Sequence, residues 1–313
     1  MEVLFTFTPR TAQQETLEKE FPNVDFYFAD KDKTRLPTAE VLVTYGEDIT
    51  EEDINKAEKL KWIMVASAGV EKMPLGAMKE RGIVVSNVKG IHKTPMTESV
   101  LAHLLALKRS LPFIYESQQN NEWNRKTGAS ELFGSTALII GPGAIGSEIG
   151  RLLQAFNVRT IGCNRSGDAA DHMDEMVSFK DILEKLPQAD IVISVVPSTK
   201  ETKHMLKKEH FEAMKNDAIF MNFGRGDLVE DRILLEALRN GVIGFAVLDV
   251  FEQEPLPLDH PYWNMKNVVI SPHASSHSKK YVDRALEIFI PNLHKWLLED
   301  RNPTNLVNLE KGY

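Results

Sequence analysis

A chain of 313 residues is long for one compact domain, and two domains are the expected arrangement. Hydrophobic residues at 42% and charged residues at 26% are ordinary for a globular enzyme. A formal charge of −8 leaves no basic excess to meet nucleic-acid phosphates or an anionic membrane. The single cysteine, Cys163, rules out an internal disulfide and any four-cysteine metal site. It follows an apolar run and reads as a reduced, buried thiol. The amino terminus lacks the basic start and long apolar stretch of a signal peptide, and no window reaches the ~18 uninterrupted apolar residues of a membrane helix. A cytoplasmic location is the resulting expectation.

Short runs rich in Val, Ile and Phe alternate with longer helix-patterned stretches. The first series of predicted strands is Val3–Thr8, Val24–Phe28, Glu40–Thr44, Ile63–Ala66 and Val84–Asn87. A helix pattern over Glu98–Ser110 and a polar stretch over Glu116–Ser130 interrupt the series. The second series is Ala137–Ile140, Thr160–Cys163, Ile191–Val195, Ile219–Asn222, Gly244–Leu248 and Val268–Ile270. Between the last of these lies a predicted helix, Asp231–Asn240, with Ile233, Leu234, Ala237 and Leu238 on one face and Gly241 where a left-handed cap is wanted. A last helix pattern covers Lys279–Glu299. This alternation implies an α/β protein with mostly parallel sheets, whose strand carboxyl ends share an edge where ligands bind. The chain is expected to cross between domains near Thr97 and to return through the last helix. That gives one discontinuous domain of residues 1–97 and 286–313, and a second of residues 98–285.

Gly141-Pro142-Gly143-Ala144-Ile145-Gly146 stands between the strand Ala137–Ile140 and a helix pattern with apolar positions at Ile145, Ile149, Leu152, Leu153 and Phe156. In that setting the glycines permit a tight turn, a close backbone approach to a pyrophosphate, and close helix–strand packing. The helix amino terminus then offers unpaired N–H groups and partial positive charge to phosphates. Dinucleotide binding is the expected role of Gly141, Gly143, Ala144, Ile145 and Gly146. One strand later the chain reads Asn164-Arg165-Ser166, where an acid would have bonded the 2′-hydroxyl of NAD. A neutral Asn does not repel a 2′-phosphate, Arg165 can bind one, and Ser166 can add a donor, so NADP(H) is expected in preference to NAD(H).

Three further clusters follow strand ends: Met221-Asn222-Phe223-Gly224-Arg225-Gly226, then Leu248 through Pro255, then Ser271-Pro272-His273-Ala274. With the glycine turn, and in this order along nearly the whole chain, they make it resemble the D-2-hydroxyacid dehydrogenase family, particularly its glyoxylate/hydroxypyruvate reductase-like branch. The segment Ala66-Ser67-Ala68-Gly69-Val70 resembles the family's substrate-carboxylate loop, and Thr97-Glu98 falls where its interdomain helix begins. The resemblance implies two Rossmann-like or flavodoxin-like domains with a cleft between them, the discontinuous one carrying the substrate. Arg225 would bind the substrate carboxylate and neighbouring carbonyl oxygen with its planar fork. His273 would be general acid in reduction and general base in oxidation, because imidazole titrates near working pH. Glu254 would hold the imidazole's orientation, and backbone N–H groups of Ala68, Gly69 and Val70 would clasp the carboxylate. Asp249 would meet the nicotinamide end, with Thr202 and Phe223 lining the cofactor and His273 beside it.

The implied reaction is hydride transfer between NADPH and a small 2-oxo acid such as glyoxylate or hydroxypyruvate; phenylpyruvate and branched-chain 2-oxo acids stay open. Exclusion of water during that transfer calls for closure of the domains about crossings near Thr97 and Ala285. Oxidation of formate or phosphite is a rival on the same fold, disfavoured because a Glu254–His273 pair supplies a proton that such chemistry does not need. A cofactor-sensing, corepressor-like binding module is the rival of a different class, and a turnover assay separates it. His273 and His277 are four apart, but no acidic or cysteine ligand stands near them in sequence, so no metal is expected. The resemblance implies a homodimer, expected through Glu98–Phe133 with Trp123 as an anchor.

Overall fold

The computed structural model describes residues 1–29, 32–67, 69–70 and 72–310. The chain divides into two compact units, residues 1–92 with 278–313 and residues 93–277.

The first unit holds five strands: β1 (Glu2–Phe5), β2 (Asp25–Phe28), β3 (Val41–Thr44), β4 (Trp62–Val65) and β5 (Val84–Asn87). Helices α1 (Thr11–Glu20), α2 (Glu51–Lys56) and α3 (Leu75–Glu80) connect them. The sheet is parallel throughout, in the order β2-β1-β3-β4-β5. Apolar residues occupy both faces of its central strands, as a sheet covered on both sides requires. Alternate residues point to opposite faces. Val3, Phe5, Val43, Trp62 and Met64 pack with Leu17 of α1 and with Phe289 and Trp296 of the last helix. Leu4, Leu42, Ile63 and Val85 pack the other face against Ile54 of α2 and Met78 of α3.

The second unit opens with α4 (Lys93–Lys108) and α5 (Leu111–Gln119). Its strands are β6 (Thr136–Ile140), β7 (Arg159–Asn164), β8 (Glu175–Ser178), β9 (Ile191–Ser194), β10 (Ile219–Asn222), β11 (Phe245–Leu248) and β12 (Val268–Ile270). Helices α6 (Ala144–Ala155), α7 (Ile182–Lys185), α8 (Lys208–Glu212) and α9 (Asp231–Arg239) lie between them. This sheet is also parallel, in the order β12-β11-β10-β9-β6-β7-β8. The chain reverses its winding direction between β6 and β9, and that switch point is where an open α/β sheet leaves a crevice for ligands. Val100 and Leu104 of α4 join Ile149 and Leu153 of α6 over one face, on Ile139, Ile193 and Met221. Leu234, Ala237 and Leu238 of α9 cover the other face, and Gly241 follows the helix with φ +64°, as its pattern predicts. The last helix, α10 (Tyr281–Leu297), belongs to the first unit.

Both chain crossings fall earlier than expected, at His92–Lys93 and His277–Ser278. The first shift has a simple cause. Pro95 lies in the opening turn of α4, where a missing N–H costs nothing, so the helix starts before the proline rather than after it. The second follows from packing, because Ala285, Leu286, Phe289 and Leu293 of α10 are buried in the core of the first unit.

Candidate active site

The glycine turn joins β6 to α6 at the switch point, and each glycine meets a different demand. Gly141 has φ +92°, and a Cβ there would meet the Val196 side chain at 2.8 Å. At Gly146 a Cβ would run into the carbonyl of Gly141, so this glycine lets the helix close onto the turn. Gly143 caps the helix, and a Cβ added to it would meet nothing within 4 Å. Its outer side is open. The first-turn N–H groups of Ala144, Ile145 and Gly146 have no acceptor one turn back within the helix. A cavity of about 470 Å³ opens beside the turn, with Lys93, Pro142, Gly143, Ala144, Ser147 and His172 in its wall. Open space above Gly143 and a helix amino terminus facing it are what a pyrophosphate requires, so these residues fit a dinucleotide.

Beyond β7, Asn164 folds its own loop. Its Oδ1 accepts from the N–H groups of Ser166 (3.2 Å) and Gly167 (2.6 Å), and its Nδ2 donates to the Asp168 carbonyl (2.9 Å). Arg165 is well exposed, 3.8 Å from Glu201. Ser166 Oγ donates to the Asp168 carboxylate at 2.5 Å. Sequence reasoning missed Asp168, because only the loop's fold brings its carboxylate back to Ser166.

Arg225 follows β10 between two glycines. A Cβ on Gly224 would strike the Val196 backbone, and one on Gly226 would strike the backbone at Phe251–Glu252. The segment is therefore wedged between the loops that leave β9 and β11, and only glycine fits on either side of the arginine. Asn222 reinforces it, accepting from the Gly224 N–H (3.1 Å) and donating to the Arg225 carbonyl (2.9 Å). The guanidinium donates to the Gly224 carbonyl at 2.9 Å.

Glu254 and His273 meet although 19 residues apart, because they follow the neighbouring strands β11 and β12. His273 Nδ1 lies 2.8 Å from Glu254 Oε2, and Glu254 Oε1 accepts from the Phe251 N–H at 3.0 Å. The His273 side chain is half exposed, so its ring is open to a ligand. Its backbone takes the left-handed φ of +51°, and its N–H donates to the Asp249 carbonyl at 2.8 Å.

Asp249 was expected at the nicotinamide end, but its carboxylate is taken up by the histidine loop. It is 1% exposed and accepts from the N–H groups of Ala274 (3.0 Å) and Ser275 (3.1 Å). The hydroxyls of Ser271 and Ser275 also donate to it. A buried carboxylate tolerates desolvation only when its lone pairs are filled in this way. Its evident work is to hold His273 in a backbone conformation that a non-glycine residue rarely adopts. Ser271 and Ser275, two residues either side of His273, were the unread signal. Phe223 is buried, with the His103 ring 6.1 Å from its own; burial lowers the His103 pKa, partly opposed by Asp249. Thr202 is likewise buried and closes its own loop, donating to the Pro197 carbonyl at 2.6 Å and accepting from the Thr199 N–H at 2.8 Å.

The Ser67–Val70 loop lies in the first unit, at the end of β4. Ala68 is outside the described residues. Ser67 Oγ donates to the Gly69 carbonyl at 2.8 Å, and Val70 is buried with its carbonyl accepting from Met73. Among the described residues no three His, Cys, Asp or Glu side chains converge as a metal shell, and no helix is long and apolar enough to cross a membrane.

Comparison with known proteins identifies the family. The family model described as the D-isomer specific 2-hydroxyacid dehydrogenase, NAD binding domain, matches residues 101–275. The chain is 35% identical over 280 residues to a D-3-phosphoglycerate dehydrogenase of Methanocaldococcus jannaschii, covering 88% of this chain and 53% of that one. It thus spans about half the length of that relative. It is 34% identical over 278 residues to a glyoxylate reductase of Thermofilum pendens, covering 86% of this chain and 81% of the relative. Among solved structures, a D-isomer specific 2-hydroxyacid dehydrogenase family protein from Aeromonas salmonicida superposes with a TM-score of 0.88 at 34% identity, covering 98% and 99% of the two chains.

Proposed function

The chain belongs to the D-isomer specific 2-hydroxyacid dehydrogenase family, and we propose on that footing that it reduces a small 2-oxo acid to the corresponding 2-hydroxy acid, using NADP(H) in preference to NAD(H). Glyoxylate, hydroxypyruvate or a close relative is the proposed substrate. The observation that carries this reading is the His273–Glu254 pair at 2.8 Å, on a loop that a buried carboxylate holds in place at the carboxyl edge of the nucleotide-binding sheet.

Residues 93–277 form the dinucleotide-binding unit in this reading, and the other unit carries the substrate. Gly141 through Gly146 cradle the pyrophosphate, and the bound nicotinamide supplies the hydride. His273 Nδ1 is engaged by Glu254, which leaves Nε2 to give a proton to the substrate's carbonyl oxygen and to take it back in oxidation. Arg225 lays its fork against the carboxylate and the same oxygen, where negative charge grows. The backbone amides of Ala68, Gly69 and Val70 are the proposed binders of the substrate carboxylate. Asp249, through the loop it orders, would set the His273 ring at the nicotinamide end, and Thr202 and Phe223 would line the cofactor.

Preference for NADP(H) rests on the neutral Asn164 and the exposed Arg165; the carboxylates of Asp168 and Glu201 oppose it, and the Ser166 hydroxyl, expected as an added donor, is given to Asp168. Assembly as a homodimer through Glu98–Phe133 is supported by the exposure of Tyr115, Phe133 and above all Trp123, at 94%. The proposed cytoplasmic location suits the buried Cys163 thiol. The test is a matrix of NADH and NADPH against a panel of 2-oxo acids. Acid-dependent oxidation with the higher kcat/KM for NADPH is expected. Binding of NADPH without turnover of any acid refutes the enzymatic reading, and a higher kcat/KM with NADH refutes the cofactor preference.

A further inference from the structure

One hydroxyl in the first unit joins three points of the chain that have no sequence relation. Tyr281 opens α10, and its Oη lies 2.9 Å from the Ala66 carbonyl oxygen and 3.0 Å from His92 Nε2. Ala66 follows β4 directly and begins the loop that runs through Gly69 and Val70. His92 is the last residue before the chain leaves the first unit, and Tyr281 stands just after its return at Ser278. The Tyr281 ring is flanked by the rings of His92 (5.3 Å) and Tyr45 (6.2 Å), and Tyr45 packs in turn on Phe7 at 4.5 Å. Burial, with Tyr45 beside it, pushes the Tyr281 hydroxyl up to about 12, so it keeps its proton at neutral pH and remains a donor. The phenol can donate one hydrogen bond while accepting another. Since the Ala66 carbonyl can only accept, Tyr281 donates to it and receives the His92 Nε2–H.

We propose that Tyr281 is a positioning residue for the substrate-carboxylate loop: its hydroxyl ties the entry of that loop to both chain crossings and so fixes where the Gly69 and Val70 amides lie. The proposal rests on reading this loop as the one that holds the carboxylate. The tethered carbonyl stands at the start of the loop, three residues before Gly69. Loss of the tether acts on the binding of the acid and leaves the glycine turn untouched.

Tyr281→Phe deletes both bonds and keeps the ring and its packing. Two readouts decide. The first is amide hydrogen exchange at Gly69 and Val70 in the substrate-free protein, which needs no turnover. The second is the separate KM values for 2-oxo acid and cofactor. Exchange at those amides should quicken about 5–10-fold, and the acid KM should rise by a similar factor, the scale of one lost neutral hydrogen bond. The cofactor KM should stay within about 2-fold, because the substitution does not reach the glycine turn. Ser86→Ala serves as the control, since it breaks the buried bond from Trp62 Nε1 in the same sheet and should lower Tm without moving the acid KM. Unchanged exchange overturns the proposal, as does quicker exchange with an unchanged acid KM. An equal rise in both KM values, or the same KM change in Ser86→Ala, marks general loosening and also overturns it. If the wild type turns over no 2-oxo acid, the functional reading fails on its own, and the exchange measurement alone decides the tether.

Discussion

Replacing Gly226 by Ala places a methyl group where two backbone segments already touch. The new Cβ would lie 2.5 Å from the Glu252 amide nitrogen and closer still to the Phe251 carbonyl. Ordinary contact begins near 3.4 Å, and the Phe251 carbonyl is the nearest obstruction, so the loops carrying Arg225 and Glu254 must part by about 1.5 Å. The obstruction is backbone on both sides, and no rotamer change relieves it. The cost therefore falls at or above the top of the usual 1–3 kcal/mol for overpacking, about 3 kcal/mol. For a unit of this size that lowers Tm by roughly 6–12 °C. The displacement also reaches the chemistry, because the Phe251 N–H that holds Glu254 moves with its loop. A misplacement of ~1 Å at a reacting group costs on the order of 10² in rate, and kcat/KM should fall by that factor. Thermal unfolding and steady-state kinetics on the purified variant measure both quantities. A Tm within 1 °C of wild type together with full activity (~1 °C being within error on this scale) would refute the wedge reasoning.

Gly143→Ala should behave oppositely: with nothing within 4 Å of the new Cβ, Tm should hold while the cofactor KM rises at least ~10-fold, as expected where a methyl blocks the backbone from a pyrophosphate. Hydrogen bonds from Arg151 and then Lys93 hold the Glu148 carboxyl down to about 2. A lowered folded-state pKa stabilises above the ordinary value of 4.5, and that contribution is lost as pH falls toward 2. Glu148→Gln should flatten the loss of stability across that acid window, as followed by denaturant titration, and an unchanged acid limb would contradict the assignment. Burial pushes the Cys163 thiol up to about 12, so a thiol reagent at neutral pH should label the protein only after unfolding; stoichiometric labelling of native protein would contradict its burial.

The parallel architecture was legible because apolar runs bounded by helix periods have few other solutions, and every expected strand is present within a residue or a few at its ends. The edge strand β8 was not. Glu175–Ser178 has no apolar run, pairs only with β7, and is held in part by ion pairs from Arg159 and Lys185 to Glu175. The helix α4 begins at Lys93, five residues before its expected start at Glu98, since Pro95 fits within its first turn. Arg225, Glu254 and His273 were visible as residue types at strand ends, and neighbouring strands bring the last two together. What placed the histidine was not visible. Asp249 works through serine hydroxyls and backbone amides across a loop, and Gly226 through a backbone contact with a segment some 25 residues distant in sequence. Such relations exist only once the strands are side by side.

The central claim, that His273 carries the proton in a 2-oxo acid reduction, is tested most directly by kcat/KM for the acid in His273→Ala against wild type, with cofactor affinity measured on the same samples. A fall of at least ~10²-fold with unchanged cofactor affinity is predicted, on the scale of losing a general acid. Turnover near the wild-type value would contradict it.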